Sequence, residues 1–167
     1  MYKYGSGDTG VTAIAVDERG SKNDDVIRLY GALDELAAMV NLVQVHLADA
    51  ERYEVLQTVI KDLYNISARI YLKPTVVVTV EMLDTLEQTV EKYREHTIKE
   101  FIKFNHVVPA YLNLARTVCR RAELQFFNSR LAVYKKYATV GVYLNRLSSL
   151  LFHLAASFHN NSVIKEL

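Results

Sequence analysis

Two arginines one helical turn apart, Arg116 and Arg120, followed by Glu123, are the residues of this chain best arranged for chemistry. On a helix advancing about 100° per residue the three fall within about 60° of one another, in a polar stripe beside the Tyr111, Ala115 and Ala122 face. Guanidiniums at that spacing present fork-shaped donors that suit phosphate oxygens, and Glu123 can hold the Arg120 fork in place. The same spacing also describes an ordinary solvated, salt-bridged helix surface. A second arrangement, Gly5-Ser6-Gly7-Asp8-Thr9-Gly10, formally matches the Gly-x-Gly-x-x-Gly dinucleotide fingerprint. That motif needs a strand before it and a helix after it, and only four residues precede it here. What survives is a flexible glycine loop whose amides, with the Ser6 and Thr12 hydroxyls and the Lys22 ammonium, can surround phosphate oxygens; a disordered N-terminal tail is the alternative.

Other candidates are weaker. Asp34 lies one turn after Tyr30, at the edge of an apolar stripe, where it either faces water or meets an arginine from another helix or subunit. Asn145, Ser148, Ser149 and Phe152 share a face roughly opposite the Val140, Leu144, Leu147 and Leu151 stripe, the pattern of a subunit interface or of a central helix. The five histidines form no His-x-x-x-His or Glu-x-x-His pair, so no metal is assigned. Cys119 reads as a small core residue rather than a nucleophile.

These residues need helices to position them. Apolar residues recur at three- and four-residue steps from Val26 to Leu47, from Val55 to Ile70, from Val80 to Tyr93, from Pro109 to Phe126 and from about Tyr137 to Phe158. Lys73-Pro74 ends the second stripe, Thr79 caps the third, and Pro109 suits the first turn of the fourth. Thr75–Val78 is β-branched but has no strand to pair with, and reads as an extended connector. The expected fold is all-α: a five-helix up-and-down bundle over residues 24–159 behind a Gly-rich N-terminal loop over residues 1–22, in one domain spanning 1–167.

Composition narrows the function classes. The 167 residues carry 20 Lys plus Arg against 19 Asp plus Glu, so no basic excess points to nucleic acid and any anion site must be local. One cysteine cannot form an internal bridge, and Met1–Gly10 has no charged-then-apolar leader pattern, which together suggest a cytoplasmic protein. Leu147 to Ile164 lacks charge but holds histidines, asparagines and serines, so it reads as a buried helix with a polar exit rather than a membrane span.

Taken together, these stretches resemble the PduO-type ATP:cob(I)alamin adenosyltransferases. Ser6-Gly7-Asp8-Thr9-Gly10-Val11-Thr12 is similar to that family's Thr-Gly-Asp-x-Gly-x-Thr/Ser loop, and Lys22 with Asp24 and Asp25 to its Lys-Asp-Asp. Gly31-Ala32-Leu33-Asp34-Glu35-Leu36 resembles its Gly-x-x-Asp-Glu-Leu helix. The strongest likeness is Arg116-Thr117-Val118-Cys119-Arg120-Arg121-Ala122-Glu123, joined by Tyr143-Leu144-Asn145-Arg146-Leu147-Ser148. The resemblance implies a homotrimer of five-helix subunits with ATP at each interface, moving the 5′-deoxyadenosyl group of ATP to cob(I)alamin with magnesium assisting. Ser6, Gly7, Asp8, Gly10, Thr12 and Lys22 would hold the triphosphate, and Arg120, Glu123 and Asn145 would complete the ATP site from the neighbouring chain. Asp34 and Arg116 match the family's intersubunit ion pair, Arg120 serves catalysis, and Phe101 matches the aromatic of the corrinoid pocket. A cobalamin reductase or an adenosylcobalamin-dependent enzyme is the further partner implied. Where the family places a Leu-Pro-Gly-Gly-like turn, Lys103-Phe104-Asn105-His106-Val107 stands, about one residue shorter, so a trimer that binds ATP or corrinoid without turnover is the alternative reading.

Overall fold

A computed structural model of the chain describes residues 5–94 and 101–158 and the backbone of 162–164. Five helices dominate: α1 (Asp25–Gln44), α2 (Ala50–Leu72), α3 (Val80–Tyr93), α4 (Val107–Phe127) and α5 (Ala138–Ala156). Four of the five begin or end where local chemistry dictates. Asp24, Asp49 and Thr79 cap α1, α2 and α3 by accepting from the amides of Val26, Arg52 and Met82 at 2.9, 2.7 and 3.3 Å. Helix α2 stops at Lys73, a left-handed residue (φ 55°) immediately before Pro74. Helix α4 opens at Val107 rather than at Pro109, whose missing amide falls in the first turn and so breaks no helical bond.

In space α2 lies beside α1, α1 beside α4, α4 beside α5, and α5 beside α3. The Tyr143 hydroxyl of α5 donates to Asp62 of α2 at 2.9 Å and closes the ring. The apolar stripes point into one continuous core, with Leu29, Leu36, Leu63, Ile66, Leu112, Ala115, Leu144 and Leu147 withdrawn from water. Cys119 is buried there and its thiol donates to the Leu144 carbonyl at 3.2 Å. Burial pushes that thiol far above the usual thiol range, so it is an inert core group. Among the described residues no helix is long and apolar enough to cross a membrane. Leu147 to Ala155 is buried except for half-exposed Ser149, Phe152 and His153, while His159, Asn160 and Asn161 lie outside the described residues.

Small β-elements add to the helical frame. The strands β1 (Val11–Ala15) and β2 (Glu18–Ser21) pair antiparallel, with Val11 opposite Ser21 and Thr12 opposite Gly20. Over residues 11–21 a hairpin stands where a loop or tail was expected, while residues 5–10 are turns and residues 1–4 lie outside the described residues. The hairpin is held by its cargo: Ile14 and Ala15 are buried, the Val16 amide donates to the Tyr71 carbonyl at 3.0 Å, and the Tyr30 hydroxyl donates to the Ile14 carbonyl at 3.0 Å. Two further strands, β3 (Phe101–Lys103) and β4 (Ser162–Ile164), pair antiparallel, Phe101 opposite Ile164. Residues 75–78 remain an extended connector, with Val77 and Val78 buried.

Two predictions follow from the packing of α5. A Cβ at Gly141 would lie 2.8 Å from Phe127 Cζ and 3.0 Å from Cε1 of the buried Phe126. Gly141→Ala therefore costs about 1–3 kcal/mol of stability through overpacking, against the gain in helix propensity, and urea melts will read it. At Asp62, burial raises the carboxyl above its ordinary value, outweighing the Tyr143 bond, so the native state holds the proton more readily than the unfolded chain does. The contribution of Asp62 is then full below the carboxylate range and is lost as pH rises through the raised value. The stability of Asp62→Asn relative to the parent protein should improve from acid to neutral pH. A difference that is flat with pH would contradict this.

Candidate functional site

The N-terminal loop is two successive turns. The Asp8 amide donates to the Gly5 carbonyl at 3.2 Å and the Gly10 amide to the Gly7 carbonyl at 3.1 Å. Gly5 and Gly10 adopt φ of 79° and 76°, values that side chains with a Cβ resist. The Lys22 amide donates to the Gly10 carbonyl at 2.8 Å, which fastens the exit of β2 to the loop. Its side chain then lies across Gly7: a Cβ there would be 2.9 Å from Lys22 Cε and 3.0 Å from Nζ. Residue 7 must be small for the ammonium to sit over the loop. Arg19 adds a bond to the Ser6 carbonyl at 3.4 Å, and the Asp8 carboxylate lies over the position a Cβ would take at Gly5, 3.2 Å away. Ser6, Asp8, Gly10 and Lys22 are thus exposed together, with Gly7 half-buried under the Lys22 side chain and Thr12 half-buried on β1. The turns lead into a strand rather than a helix, so the dinucleotide fingerprint is formal only.

On α4 the polar stripe is resolved residue by residue. Arg116 is half-buried and its Nε donates to Asn113 Oδ1 at 2.9 Å. Loss of hydration, and then the like charge of Arg120, hold its guanidinium below the ordinary arginine value. Arg121 turns to the other side and pairs with Glu35 of α1. Glu123 accepts from Asn145 Nδ2 at 3.1 Å, so it is engaged by α5 rather than by the Arg120 fork, as its spacing had suggested. Asn145 Oδ1 accepts in turn from Arg146 at 2.9 Å, and Arg146 donates to Glu87 of α3 at 3.1 Å. This relay fixes the orientation of the Asn145 amide. Arg120 stands exposed beside it with no carboxylate or other acceptor among the described residues. Ser148, expected on the outer face, is buried at 7% exposure and donates back to the Asn145 carbonyl at 2.8 Å; the short hydroxyl satisfies itself within its own helix.

Asp34 is exposed on α1 and lines an open groove of about 390 Å³ with Ile27, Tyr30, Leu63, Tyr64 and Ser67. The adjacent acid, Glu35, is the one that faces α4. No hydrogen bond or ion pair joins Asp34 to Arg116, or Lys22 to Arg120, among the described residues of the chain. Phe101 is 67% exposed on β3, and its preceding residue Glu100 lies outside the described residues. Among the described residues no three His, Cys, Asp or Glu side chains gather to hold a metal ion.

One residue at this end of the molecule escapes a reading of spacing alone. Arg130, in the connector between α4 and α5, donates to Glu18 of β2 at 2.9 Å, to Asp24 at 2.7 Å and to Asp25, and its own amide also donates to Asp25. Burial works against the ionised form of Asp24, yet the Arg130 and Val26 bonds hold its carboxyl below the usual range. Lys73 takes the other side of the acidic group, bonding Asp17 at 2.6 Å and Glu18 at 3.2 Å. The only trace of this in the sequence is the density of acids from Asp17 to Asp25.

Comparison with known proteins shows the family and the fold. The chain is 28% identical to the corrinoid adenosyltransferase PduO of Salmonella typhimurium over 96% of its own length and 52% of that protein's. It thus spans about half the length of the PduO relatives it matches. It is also 28% identical to a corrinoid adenosyltransferase of Citrobacter freundii, covering 90% of both chains. Its fold superposes with a TM-score of 0.83 on a variant PduO-type ATP:corrinoid adenosyltransferase from Lactobacillus reuteri complexed with cobalamin and ATP, at 21% identity, over 98% of this chain and 99% of that one. Residues 3–158 match the family described as cobalamin adenosyltransferase, and the chain belongs to that family.

Proposed function

We propose that this protein is a corrinoid adenosyltransferase that moves the 5′-deoxyadenosyl group of ATP to cob(I)alamin and releases triphosphate. The observation that carries the reading is the state of Arg120. Arg116 and Glu123 of the stripe, with Asn145 facing them and Arg121 on the other side, all have partners, while this exposed guanidinium has no acceptor among the described residues. A fork of donors held open beside a fixed amide suits a phosphate group. The glycine turns under Lys22 form a second patch of amides and positive charge for the same anion.

The reaction asks little covalent chemistry of the protein. Cobalt of the corrinoid substrate attacks the 5′ carbon of ATP; its electron pair forms the cobalt–carbon bond, and the carbon–oxygen bond breaks to release triphosphate. Lys22 and Arg120 stabilise the charge that gathers on the leaving group, while Ser6, Gly7, Gly10 and Thr12 orient it. Glu123 and Asn145 hold the nucleoside end, and Phe101 contributes to the corrinoid pocket. Magnesium would be carried by the triphosphate, since the loop offers one carboxylate, Asp8, and no cluster of ligands gathers among the described residues. The free Cys119 and a strongly reducing substrate both suit the cytoplasm. A cobalamin reductase, or an enzyme that uses adenosylcobalamin, is the partner expected on either side of the reaction.

A homotrimer brings the two anion patches together. Asp34 has no partner among the described residues, and Gly31, one turn earlier in α1, has open space where a Cβ would stand. A helix-interior glycine costs about 1 kcal/mol relative to alanine, and nothing among the described residues requires it. A neighbouring α4 offering Arg116 to Asp34 accounts for both, and sets Arg120 of one subunit against the Lys22 loop of the next.

Anaerobic assay with reduced cobalamin and MgATP tests the activity, and ATP calorimetry the binding. Arg120→Ala should abolish turnover, whereas Arg121→Ala, which loses only the surface pair with Glu35, should stay within a few-fold of the parent. Equal losses would contradict the assignment of the stripe. Saturable ATP binding with no adenosylated product would favour the non-catalytic trimer, a reading that the short segment between Phe101 and the start of α4 at Val107 keeps in play. Light scattering tests the assembly: Asp34→Arg should lower the mass from three chains toward one, and adding Arg116→Asp should restore it. A double variant no larger than the single one would sink the proposed ion pair.

A further inference from the structure

The Arg130 cluster borders the Lys22 loop on both sides. Glu18 opens β2, Lys22 follows its last residue Ser21, and Asp24 and Asp25 begin α1; a single guanidinium holds Glu18, Asp24 and Asp25 together. The segment between is short and internally tied, with the Asn23 amide donating to the Ser21 hydroxyl at 3.1 Å and the Asp24 amide to the Ser21 carbonyl at 3.0 Å. Fixing its two ends therefore fixes where the Lys22 side chain leaves the backbone and crosses Gly7. The charge at this corner is unfavourable for an anion. Asp17, Glu18, Asp24 and Asp25 are met by Lys73 and Arg130, and Lys73 reaches only the first two.

We propose that Arg130 is a positioning residue for the triphosphate, anchoring both ends of the Lys22 segment and cancelling carboxylate charge that would otherwise oppose the phosphates. This rests on the reading of the chain as an ATP-binding transferase. Arg130 does not touch the substrate; it acts through Lys22 and through Glu18, Asp24 and Asp25. A guanidinium suits the task because its planar fork serves three carboxylates at once, which an ammonium on a flexible stem does less well.

The test uses the full chain, with MgATP calorimetry, anaerobic turnover with reduced cobalamin, and thermal melts to confirm folding. Arg130→Gln should weaken ATP binding and raise KM for ATP about tenfold, the scale of a lost charge-assisted contact. It should leave kcat at saturating ATP and KM for the corrinoid within about twofold, a split that general loosening of the fold would not produce. The loss should grow at low ionic strength, where carboxylate repulsion reaches further. Arg130→Lys should be intermediate, and Arg130→Gln with Glu18→Gln should recover part of the affinity by removing one opposing charge. Unchanged ATP affinity in Arg130→Gln, or a double variant no better than the single one, would overturn the inference. Should Arg130→Gln fail to fold, ATP affinity in Arg130→Lys equal to the parent's would overturn it instead. A parent protein that binds no ATP would sink the transferase reading itself, a result separate from either of these.

Discussion

The packing of α4 between α1 and α5 is the constraint from which the rest of the molecule follows. Leu112, Ala115, Val118, Cys119, Ala122 and Phe126 are all withdrawn from water and fall within about 120° of arc, so the core sets the rotation of the helix about its own axis. That rotation decides where the polar groups emerge, and it brings Arg116, Arg120 and Glu123 out together along one edge of the buried face. Close approach of α5 is made possible by Gly141 against Phe126, and it brings Asn145 within reach of Glu123. The polar stripe is thus rigid for the reason the core is rigid: its side chains hang from a helix buried on both flanks.

Electrostatics at the two ends of the chain follow one logic. Charged groups that face other elements are paired, as Arg121 with Glu35, Arg146 with Glu87 and Arg130 with three carboxylates. These pairs use part of the 20 against 19 balance to hold elements in place. Arg120, Lys22 and Asp34 are among the exposed charges outside these pairs, and they are the ones proposed to meet an anion and a neighbouring chain. Near-neutral net charge is compatible with a strongly anionic substrate because binding responds to charges within about a Debye length, not to their sum over the chain.

Much of this was legible beforehand, and the reasons for the exceptions are specific. Helical stripes, the Thr79 cap and the stop before Pro74 depend on neighbours three or four residues away, and each emerges in the structure where periodicity puts it. The β1–β2 hairpin did not announce itself. Its turn is Val16-Asp17 rather than a glycine-bearing pair, and it is kept in place by Tyr30 and Tyr71, residues of α1 and α2. Glu123 was expected to hold Arg120 because one helical turn separates them, but an amide arriving from α5 engages it instead. Arg130 carried no periodic signal at all, lying in a connector whose partners are more than a hundred positions earlier in the chain.

By itself the sequence determined the helices, the core and the inventory of groups able to meet a phosphate, because these depend on residue type and short-range spacing. Tertiary structure decided which of those groups are spent and which are open. Asp34 and Glu35 are adjacent and chemically alike, yet only Glu35 meets α4, since consecutive residues on a helix point about 100° apart and the neighbouring helix covers one of them. Lys22 could have extended anywhere; it lies over Gly7 because the hairpin returns it there. The difference is physical: a repeat of three or four residues is local, whereas the partner of a charge is set by which distant surface the folded core brings within hydrogen-bonding distance.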